Sequence, residues 1–332
     1  MTLGNGWRAV DLSRLRGRVA LVTGASSGVG LAIAQRLAAE GVRTLLGCRD
    51  RGRAQQAREL ILNRSPRAAV EIVLLDLASL ESVQDAAAEV ADLTGRLDLL
   101  VNNAGVMAVR PGRTAEGFEI QLGTNHLGHF ALTGRLLPLL LAAGDARVVT
   151  QTSVAHRLAT SAGLSEAAAF TELPHDSRWL GYCRSKLANL LFTLELDRRW
   201  KAYAAMLSPD EQGQSLIRSF PVHPGVARTE LVEKTSLGRR PLVGQLGQAG
   251  FDAVGQSAAD GALPALYAAT RSELGGGEFI GPRGLPELRG APGVVRPSRL
   301  GRDLRLAARL WAASAEATGV GYEELRTRVG AV

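Results

Sequence analysis

Tyr182 and Lys186 are two side chains whose types and spacing suit acid–base chemistry. Residues four positions apart lie on one face of a helix, so the phenol and the ammonium are expected side by side. A tyrosine ordinarily loses its proton near pH ~10. A neighbouring ammonium favours the phenolate and is expected to lower that pKa. The pair therefore predicts a general acid–base for the oxygen of a carbonyl or an alcohol.

A glycine-rich turn between a short apolar run and a segment of helical spacing has the chemistry of a phosphate site. The turn reads Thr23-Gly24-Ala25-Ser26-Ser27-Gly28-Val29-Gly30. Glycine permits backbone conformations that other residues avoid and lets the chain approach a ligand closely. A helix that begins here directs its free N–H groups and the positive end of its dipole at a phosphate. The placement predicts dinucleotide binding at this turn.

Short apolar runs alternate with longer segments of helical spacing along most of the chain. The predicted strands are residues 19–23, 43–48, 70–75, 97–101, 147–152, 216–222 and 278–280. The predicted helices are residues 31–40, 54–63, 80–93, 118–141, 182–203, 257–270 and 302–318, and a kink near Gly128 and Gly134 in the fourth of them stays open. This alternation is typical of a parallel sheet with helices on both faces. The sequence therefore predicts an α/β fold, a Rossmann-type doubly wound parallel sheet of about seven strands.

The chain shows no internal repeat and no clear linker, which favours one domain. Residues 1–16 are expected to form a loosely held N-terminal extension, and residues 17–332 a single NAD(P)-binding catalytic domain. Residues 226–250 are rich in Gly, Thr and Arg and are expected to form a substrate loop. Residues 202–215 are expected to form a surface loop, and the tail at 281–293 is expected to pack near the substrate entrance.

Several groups of residues resemble, in their order along the chain, the motifs of short-chain dehydrogenases/reductases. The glycine turn is similar to the family's Thr-Gly-x-x-x-Gly-x-Gly, Asn102-Asn103-Ala104-Gly105 to its second motif, and Tyr182-Cys183-Arg184-Ser185-Lys186 to its catalytic Tyr-x-x-x-Lys. Cys48-Arg49-Asp50 and Asn125-His126-Leu127-Gly128-His129-Phe130 resemble the retinol dehydrogenase-like branch, and light-dependent protochlorophyllide reductases share similar motifs. The resemblance by motif covers roughly residues 17 to 230.

The resemblance implies a catalytic set of Asn125, Ser153, Tyr182 and Lys186. Ser153 would hold the substrate oxygen and stabilise developing charge, with Thr152 the neighbour that could be confused with it. Asn125 would hold a water that links Lys186 to solvent. The cofactor contacts implied are Thr23, Gly24, Ser26, Ser27, Gly28, Val29, Gly30, Arg49, Asp76, Leu77, Asn103, Ala104, Gly105, Tyr182, Lys186, Pro224, Gly225, Val226 and Thr229.

The end of the second predicted strand bears on the choice of nicotinamide cofactor. An acidic side chain there would hydrogen-bond the ribose 2′-OH and repel a 2′-phosphate. Cys48 occupies the position where the acid is expected, and Arg49 follows with a guanidinium suited to phosphate. The sequence therefore predicts a preference for NADP, with NAD still usable. Asp50 stays an alternative that would favour NAD if it, rather than Arg49, faced the ribose.

Composition excludes several classes of function. The net charge is +7, but the arginines are scattered and no nucleic-acid-binding signature is present, so we expect a solvated basic surface and no nucleic-acid partner. Two cysteines imply no disulfide framework. No signal peptide and no apolar stretch long enough to span a bilayer are found, so we expect a cytoplasmic protein without a membrane anchor. A homo-oligomeric assembly stays open.

The histidines and the overall function complete the expectations. His126 and His129 lie three residues apart, but no third ligand has metal-site spacing, so the sequence predicts no metal and a packing role for both.

The predicted activity is hydride transfer between NADP and a carbonyl or alcohol of an apolar small molecule, since such pockets are mostly apolar. The alternative is a non-catalytic dinucleotide-binding regulator of the same fold.

Overall fold

The computed structural model describes residues 9–172, 178–207, 216–226, 256–284 and 287–326. Within them lies an eight-stranded sheet with the order β3-β2-β1-β4-β5-β6-β7-β8. The strands are β1 (Val19–Thr23), β2 (Arg43–Cys48), β3 (Val70–Leu74), β4 (Leu99–Asn102), β5 (Asp145–Gln151), β6 (Leu216–Val222), β7 (Ile280–Pro282) and β8 (Pro292–Val294). Strands β1 to β7 pair in parallel, and β8 runs antiparallel to β7.

The helices cover both faces of this sheet. They are α1 (Gly28–Ala39), α2 (Arg51–Arg64), α3 (Leu80–Leu93), α4 (Ile120–Leu122), α5 (Gly128–Arg135), α6 (Leu137–Ala142), α7 (Arg178–Ala204), α8 (Ala258–Thr270), α9 (Leu304–Thr318) and α10 (Glu323–Arg326). Helices α1, α2 and α8 bury apolar side chains against one face. Helices α3, α5, α6 and α7 bury theirs against the other. The predicted doubly wound α/β fold is confirmed.

The sheet differs from the prediction at its last edge, where β8 was not expected. Pro292 and Gly293 make up most of this strand, and such residues carry little strand signal and are confined to edges or bulges. The strand β7 also begins two residues later than predicted, at Ile280. The interior strands were easier to predict because they are buried on both faces and are therefore continuous apolar runs.

The segment predicted as one helix over residues 118–141 is broken. Helix α4 leads into a π-helical turn at Gly123–Leu127, and α5 and α6 follow with Leu136 between them. Pro138 stands at the start of α6, where a missing N–H does no harm, but it interrupts any continuous helix. π turns of this kind occur frequently at functional sites.

Part of the predicted N-terminal extension is packed rather than loosely held. Ala9–Leu15 forms a 3-10 helix, and Leu12 is fully buried among side chains of α1 and α8. An apolar side chain of this size contributes most when it is removed from water. Residues 1–8 lie outside the described residues, as do 173–177, 208–215, 227–255, 285–286 and 327–332. Thr229 and nearly all of the predicted substrate loop therefore fall outside.

The order of the strands places a crevice between β1 and β4. The chain proceeds outward from β1 to β3 and then crosses back to β4 on the other side of β1. In open α/β sheets, ligands bind outside the carboxyl ends of the strands at this point of reversal. The glycine turn after β1 and Asn103-Ala104-Gly105 after β4 meet there. Among the described residues, no helix has both the length and the hydropathy to cross a membrane.

Candidate active site

The glycine turn after β1 has the backbone that its sequence requires. Gly24 and Gly28 have φ values of +65° and +56°, in the left-handed region that favours glycine. A Cβ on Gly30 would lie 2.4 Å from the carbonyl oxygen of Gly24 and 2.5 Å from Nδ2 of Asn103. Only glycine therefore lets α1 begin this close to the sheet. Ser27 is the N-cap of α1, and its side chain makes no capping hydrogen bond.

Thr23 and Asn103 join the ends of β1 and β4. The hydroxyl of Thr23 accepts hydrogen bonds from the backbone N–H groups of Asn103 and Ala104, each at 2.9 Å. The Asn103 amide donates in return to the carbonyl of Thr23 at 2.9 Å. Thr23 is fully buried. The sequence predicted a cofactor contact for Thr23. In the structure its hydroxyl accepts hydrogen bonds from the protein backbone and so supports the glycine turn.

The end of β2 carries the acidic and basic side chains that bear on the choice of cofactor. Arg49 is exposed, whereas Asp50 is the N-cap of α2 and accepts the backbone N–H of Arg53 at 2.8 Å. Burial raises the pKa of the Cys48 thiol to about 11, and backbone and side-chain hydrogen bonds from Ala25 and Ser26 and the charge of Arg53 offset part of the shift. The guanidinium of Arg53 is therefore near enough to the end of β2 for its charge to act on Cys48. Sequence reasoning did not assign Arg53 to the cofactor site.

Asp76 and Leu77, which the resemblance implies as cofactor contacts, lie at the turn after β3. The Asp76 carboxylate accepts the backbone N–H of Ala78 at 3.0 Å and is half-buried. Leu77 is buried, and its carbonyl oxygen would lie 2.4 Å from a Cβ on Gly128. Glycine at the start of α5 therefore lets this helix approach the edge of the crevice.

Ser153, Tyr182 and Lys186 meet between the end of β5 and α7. Tyr182 is hydrogen-bonded to Ser153, and Nζ of Lys186 lies 5.7 Å from the centre of the Tyr182 ring. Lys186 also donates to the carbonyl of Gln151 at 3.1 Å. The neighbour that could be confused with Ser153, Thr152, donates instead to the carbonyl of Lys186 at 2.6 Å. The geometry therefore places Ser153, and not Thr152, against the phenol.

The pKa values of this group differ from the expectation. Burial raises the pKa of Tyr182 to about 12, and the hydrogen bond from Ser153 offsets only part of the shift. Burial also lowers the pKa of Lys186 to about 8. The expected lowering of the Tyr182 pKa by Lys186 is therefore wrong for the chain by itself, because the largest influence on that pKa is desolvation, which raises it. Cys183, next to the phenol, is fully buried, and burial raises its thiol pKa to about 11.

Asn125 lies in the π turn and fastens three segments together. Its amide donates to the carbonyl of Val106 and to the hydroxyl of Ser185, each at 2.9 Å, and its Oδ1 accepts from Val106 N–H at 2.7 Å. A Cβ on Gly105 would lie 3.1 Å from Oδ1 of Asn125 and 3.5 Å from Nζ of Lys186. Asn125 and Lys186 therefore flank the same short glycine segment.

The segment after β6 is covered by the C-terminal tail. Gly225 has φ +66°, and a Cβ there would lie 2.3 Å from the carbonyl oxygen of Leu288. Val226 N–H donates to that carbonyl at 2.9 Å, and the side-chain amide of Gln256 donates to the carbonyl of Pro224. Pro224, Gly225 and Val226 are all half-buried, at the carboxyl end of β6.

The tail also contacts the 3-10 helix at Val154–Leu158, which follows Ser153. Arg157 pairs with Glu287 at 2.8 Å, and the N–H of Ser298 donates to Nε2 of His156 at 3.2 Å. The described part of the tail therefore joins the segment after β6 to the segment after β5.

Exposed large apolar side chains lie on the two segments that carry Tyr182 and Ser153. The ring of Trp179 is centred 5.5 Å from that of Tyr182, and 37% of Trp179 is exposed. Leu180 is 43% exposed, and Leu158, at the end of the 3-10 helix after Ser153, is 61% exposed. Sequence reasoning missed these residues. The available signal was Trp179 itself, three residues before Tyr182 and therefore on the same helical face.

The fold and this site define a dinucleotide-dependent oxidoreductase. The sequence profile described as short chain dehydrogenase matches residues 18–239, and the chain belongs to that family. Human retinol dehydrogenase 13 is 34% identical over 316 residues, covering 93% of this chain and 87% of that protein. Human retinol dehydrogenase 12 is 34% identical over 313 residues, covering 93% and 89%. The chain is thus an NAD(P)-dependent short-chain dehydrogenase/reductase of the retinol dehydrogenase-like branch.

Solved structures support the same fold. A crystal structure of a protein from Mycobacterium paratuberculosis is 36% identical, with a TM-score of 0.73, and the match covers 96% of this chain and 99% of that one. The complex of Pseudomonas aeruginosa RhlG with NADP is 23% identical, with a TM-score of 0.60, covering 80% and 94%. The second likeness bears on the fold alone.

Proposed function

We propose that this chain transfers hydride between NADP and a carbonyl or alcohol carbon of an apolar small molecule. The observation that carries the proposal is the contact of Tyr182 with Ser153 beside Lys186, at the carboxyl edge of the sheet. The glycine turn fits the dinucleotide, because close backbone approach and a helix N-terminus coincide there. A bound nicotinamide dinucleotide would supply or accept the hydride.

Each side chain has a definite task in carbonyl reduction. Tyr182 donates the proton to the substrate oxygen, and the burial that raises its pKa to about 12 keeps the phenol protonated until then. Ser153 orients that oxygen and stabilises the charge that develops on it. Lys186 holds the ribose and supplies positive charge beside the phenol. Asn125 keeps the segment at Val106 in place and belongs to the route by which Lys186 exchanges protons with solvent.

The preference for NADP is supported by the charges at the end of β2. Asp50 is the N-cap of α2, and one oxygen of its carboxylate accepts the N–H of Arg53, which favours an orientation toward the helix. Arg49 is exposed at the adjacent position, and the charge of Arg53 acts on the Cys48 thiol at the end of β2. Two guanidinium groups suit a 2′-phosphate, because each can form charge-assisted bonds to its oxygens.

An apolar substrate is supported by the exposed Trp179 ring beside the phenol. Trp179 presents apolar surface next to Tyr182, and Leu158 and Leu180 add exposed apolar surface on the two segments that carry Ser153 and Tyr182. Sites that combine apolar walls with a few polar anchors suit apolar molecules that carry one oxygen function. The named retinol dehydrogenases that match this chain are compatible with such a class.

The decisive experiment follows NADPH oxidation with a panel of aldehydes and ketones of increasing apolar length, together with NADPH binding. Turnover that rises with apolar length, and that is lost in Tyr182→Phe while binding persists, supports the proposal. Tight NADPH binding without turnover of any member would favour a non-catalytic dinucleotide sensor instead. The complete set of Ser153, Tyr182 and Lys186 argues against that alternative.

A further inference from the structure

We propose that His129 is a positioning residue that fixes the backbone of Asn125 and links it to β1, the strand before the glycine turn. The proposal rests on the proposed function, because Asn125 is assigned there to the active site. His129 lies in α5 and is fully buried. Its Nδ1 is 2.9 Å from the carbonyl oxygen of Asn125, and its Nε2 is 2.9 Å from the hydroxyl of Thr23.

Donor and acceptor counting fixes the direction of these bonds. A carbonyl oxygen only accepts, so the proton of the ring is on Nδ1 and is donated to Asn125. Nε2 of the neutral ring then has a lone pair that requires a donor, and the Thr23 hydroxyl is the group within reach. The other acceptor near that hydroxyl, the carbonyl of Val101, is farther away at 3.4 Å. Thr23 therefore donates to His129.

The proton and the lone pairs of the Thr23 hydroxyl can be assigned in the same way. A hydroxyl has one proton and two lone pairs. Thr23 gives its proton to His129 and uses its lone pairs for the N–H groups of Asn103 and Ala104. An ordered path of hydrogen bonds thus runs from the segment after β4 through Thr23 and His129 to the carbonyl of Asn125. Every member is buried or half-buried, so each bond is costly to break.

The histidine acts through position and does not carry protons. Burial is the largest cause that lowers its pKa to about 4, and the charge of Lys186 lowers it further. The ring is therefore neutral near pH 7, which the bonding pattern also requires. The influence of Lys186 shows that the ring lies close to the reacting groups.

The carbonyl that the His129 ring binds belongs to the π turn. A π turn pairs residue i with i+5, so the regular i+4 backbone register is disturbed within Gly123–Leu127. His129 stands four residues after Asn125 and supplies a ring N–H to that carbonyl. The side chain of Asn125 is then held at Val106 and Ser185, next to the helix that bears Lys186. The structure thereby links the cofactor strand β1 to the catalytic face of α7.

Two substitutions each keep one of the two hydrogen bonds of His129 and remove the other. In His129→Asn the side-chain amide lies near the place of Nδ1, so the bond to Asn125 is kept and the bond to Thr23 is lost. In His129→Gln the amide reaches the place of Nε2, so the contact with Thr23 is kept and the bond to Asn125 is lost. We expect His129→Gln to lower kcat about tenfold or more with little change in the KM for NADPH. We expect His129→Asn to raise that KM severalfold with kcat retained.

The matched control is His126→Asn, which alters a buried histidine that bonds to Ser314 instead. It is expected to lower the Tm and to leave kcat and KM near those of the wild type. Equal effects of the two His129 substitutions on kcat and KM would overturn the proposal. A change in Tm with no change in kcat or KM would also overturn it. Wild-type turnover reports separately on the proposed function. If the wild type binds NADPH without turnover, the Kd for NADPH must still be weakened by His129→Asn and not by His129→Gln.

A measurement on the unaltered protein covers the case in which neither variant folds. Nitrogen-15 NMR of the assigned His129 ring distinguishes the two tautomers and the charged form. The proposal requires the neutral ring with its proton on Nδ1 at pH 7. A proton on Nε2, or a charged ring, would overturn it.

Discussion

Lys186 donates to the carbonyl of Gln151, two residues before Ser153, and this hydrogen bond of 3.1 Å helps to join α7 to the end of β5. The ammonium is thereby fixed to β5, while the phenol of Tyr182 is fixed to Ser153 on the other side of the same segment. The carbonyl of Gln151 and the side chain of Ser153 both lie at the end of β5 rather than on a long loop. Such anchoring holds reacting groups in a productive geometry before a substrate arrives.

Removal of the phenol hydroxyl is expected to abolish most turnover. In Tyr182→Phe we expect kcat to fall by at least about a hundredfold, because general acid catalysis contributes ~10²–10⁴-fold. The Kd for NADPH should change little. The matched control is Tyr203→Phe, in the last turn of α7 and away from Ser153. Steady-state kinetics and fluorescence titration measure both quantities, and full turnover in Tyr182→Phe contradicts the assignment.

The two arginines near the end of β2 are expected to set cofactor preference. Arg49→Ala and Arg53→Ala should each raise the KM for NADPH about tenfold, since a charge-assisted hydrogen bond contributes ~1.5–3 kcal/mol. The KM for NADH should stay nearly constant because NADH lacks the 2′-phosphate. Arg51→Ala, an exposed arginine at the start of the same helix, is the control. Equal losses with NADPH and NADH would show that neither guanidinium contacts the phosphate.

Trp179 is expected to select for apolar substrates. In Trp179→Ala we expect kcat/KM for long apolar aldehydes to fall about tenfold, and for short ones to change little, because contact area with the ring is lost at ~25 cal/mol per Å². Met206→Ala removes another exposed apolar side chain, 45% exposed and beyond the end of α7, and serves as control. A loss that is independent of chain length would show that Trp179 acts only through Tyr182.

The sequence predicted much of this site because its signals are local. The buried strands are apolar runs, and Tyr182 and Lys186 need only helical spacing to meet. The sequence left open a kink near Gly128 and Gly134 but did not predict the π turn at Gly123–Leu127, since that turn depends on partners such as Val106 and Ser185. It also gave the wrong direction for the Tyr182 pKa, because desolvation depends on packing from several elements. Such effects arise only in three dimensions.

Carbonyl reduction is expected to slow in alkaline solution. The pKa of Lys186 is lowered to about 8 by burial, so its ammonium is present below that pH and is lost above it. The kcat/KM for reduction should therefore fall as pH rises through about 8, with the slope of a single proton. The kcat/KM profile reports groups of the free enzyme, to which this pKa belongs. A profile that is flat from pH 7 to 9.5 would contradict the assignment.

Four buried histidines are expected to make the protein sensitive to acid. Burial is the largest cause that lowers the pKa of each, to about 3 for His126 and His223 and to about 4 for His129 and His156. Their ordinary value is 6.5, so the unfolded chain binds protons in the window where the folded chain does not.

The direction in which stability changes with pH follows from that difference in proton uptake. Stability is fully present above pH 6.5 and falls as the pH decreases toward about 4, where the folded protein begins to accept protons too. Each histidine lowers the free energy of unfolding by about 1.5 kcal/mol between pH 6.5 and 5. Ordinary carboxylates contribute little there because they titrate near pH ~4. Urea unfolding at several pH values measures the loss, and His223→Asn should reduce its slope by about one proton. A free energy of unfolding that is constant from pH 6.5 to 5 would show that these rings are protonated in the folded protein.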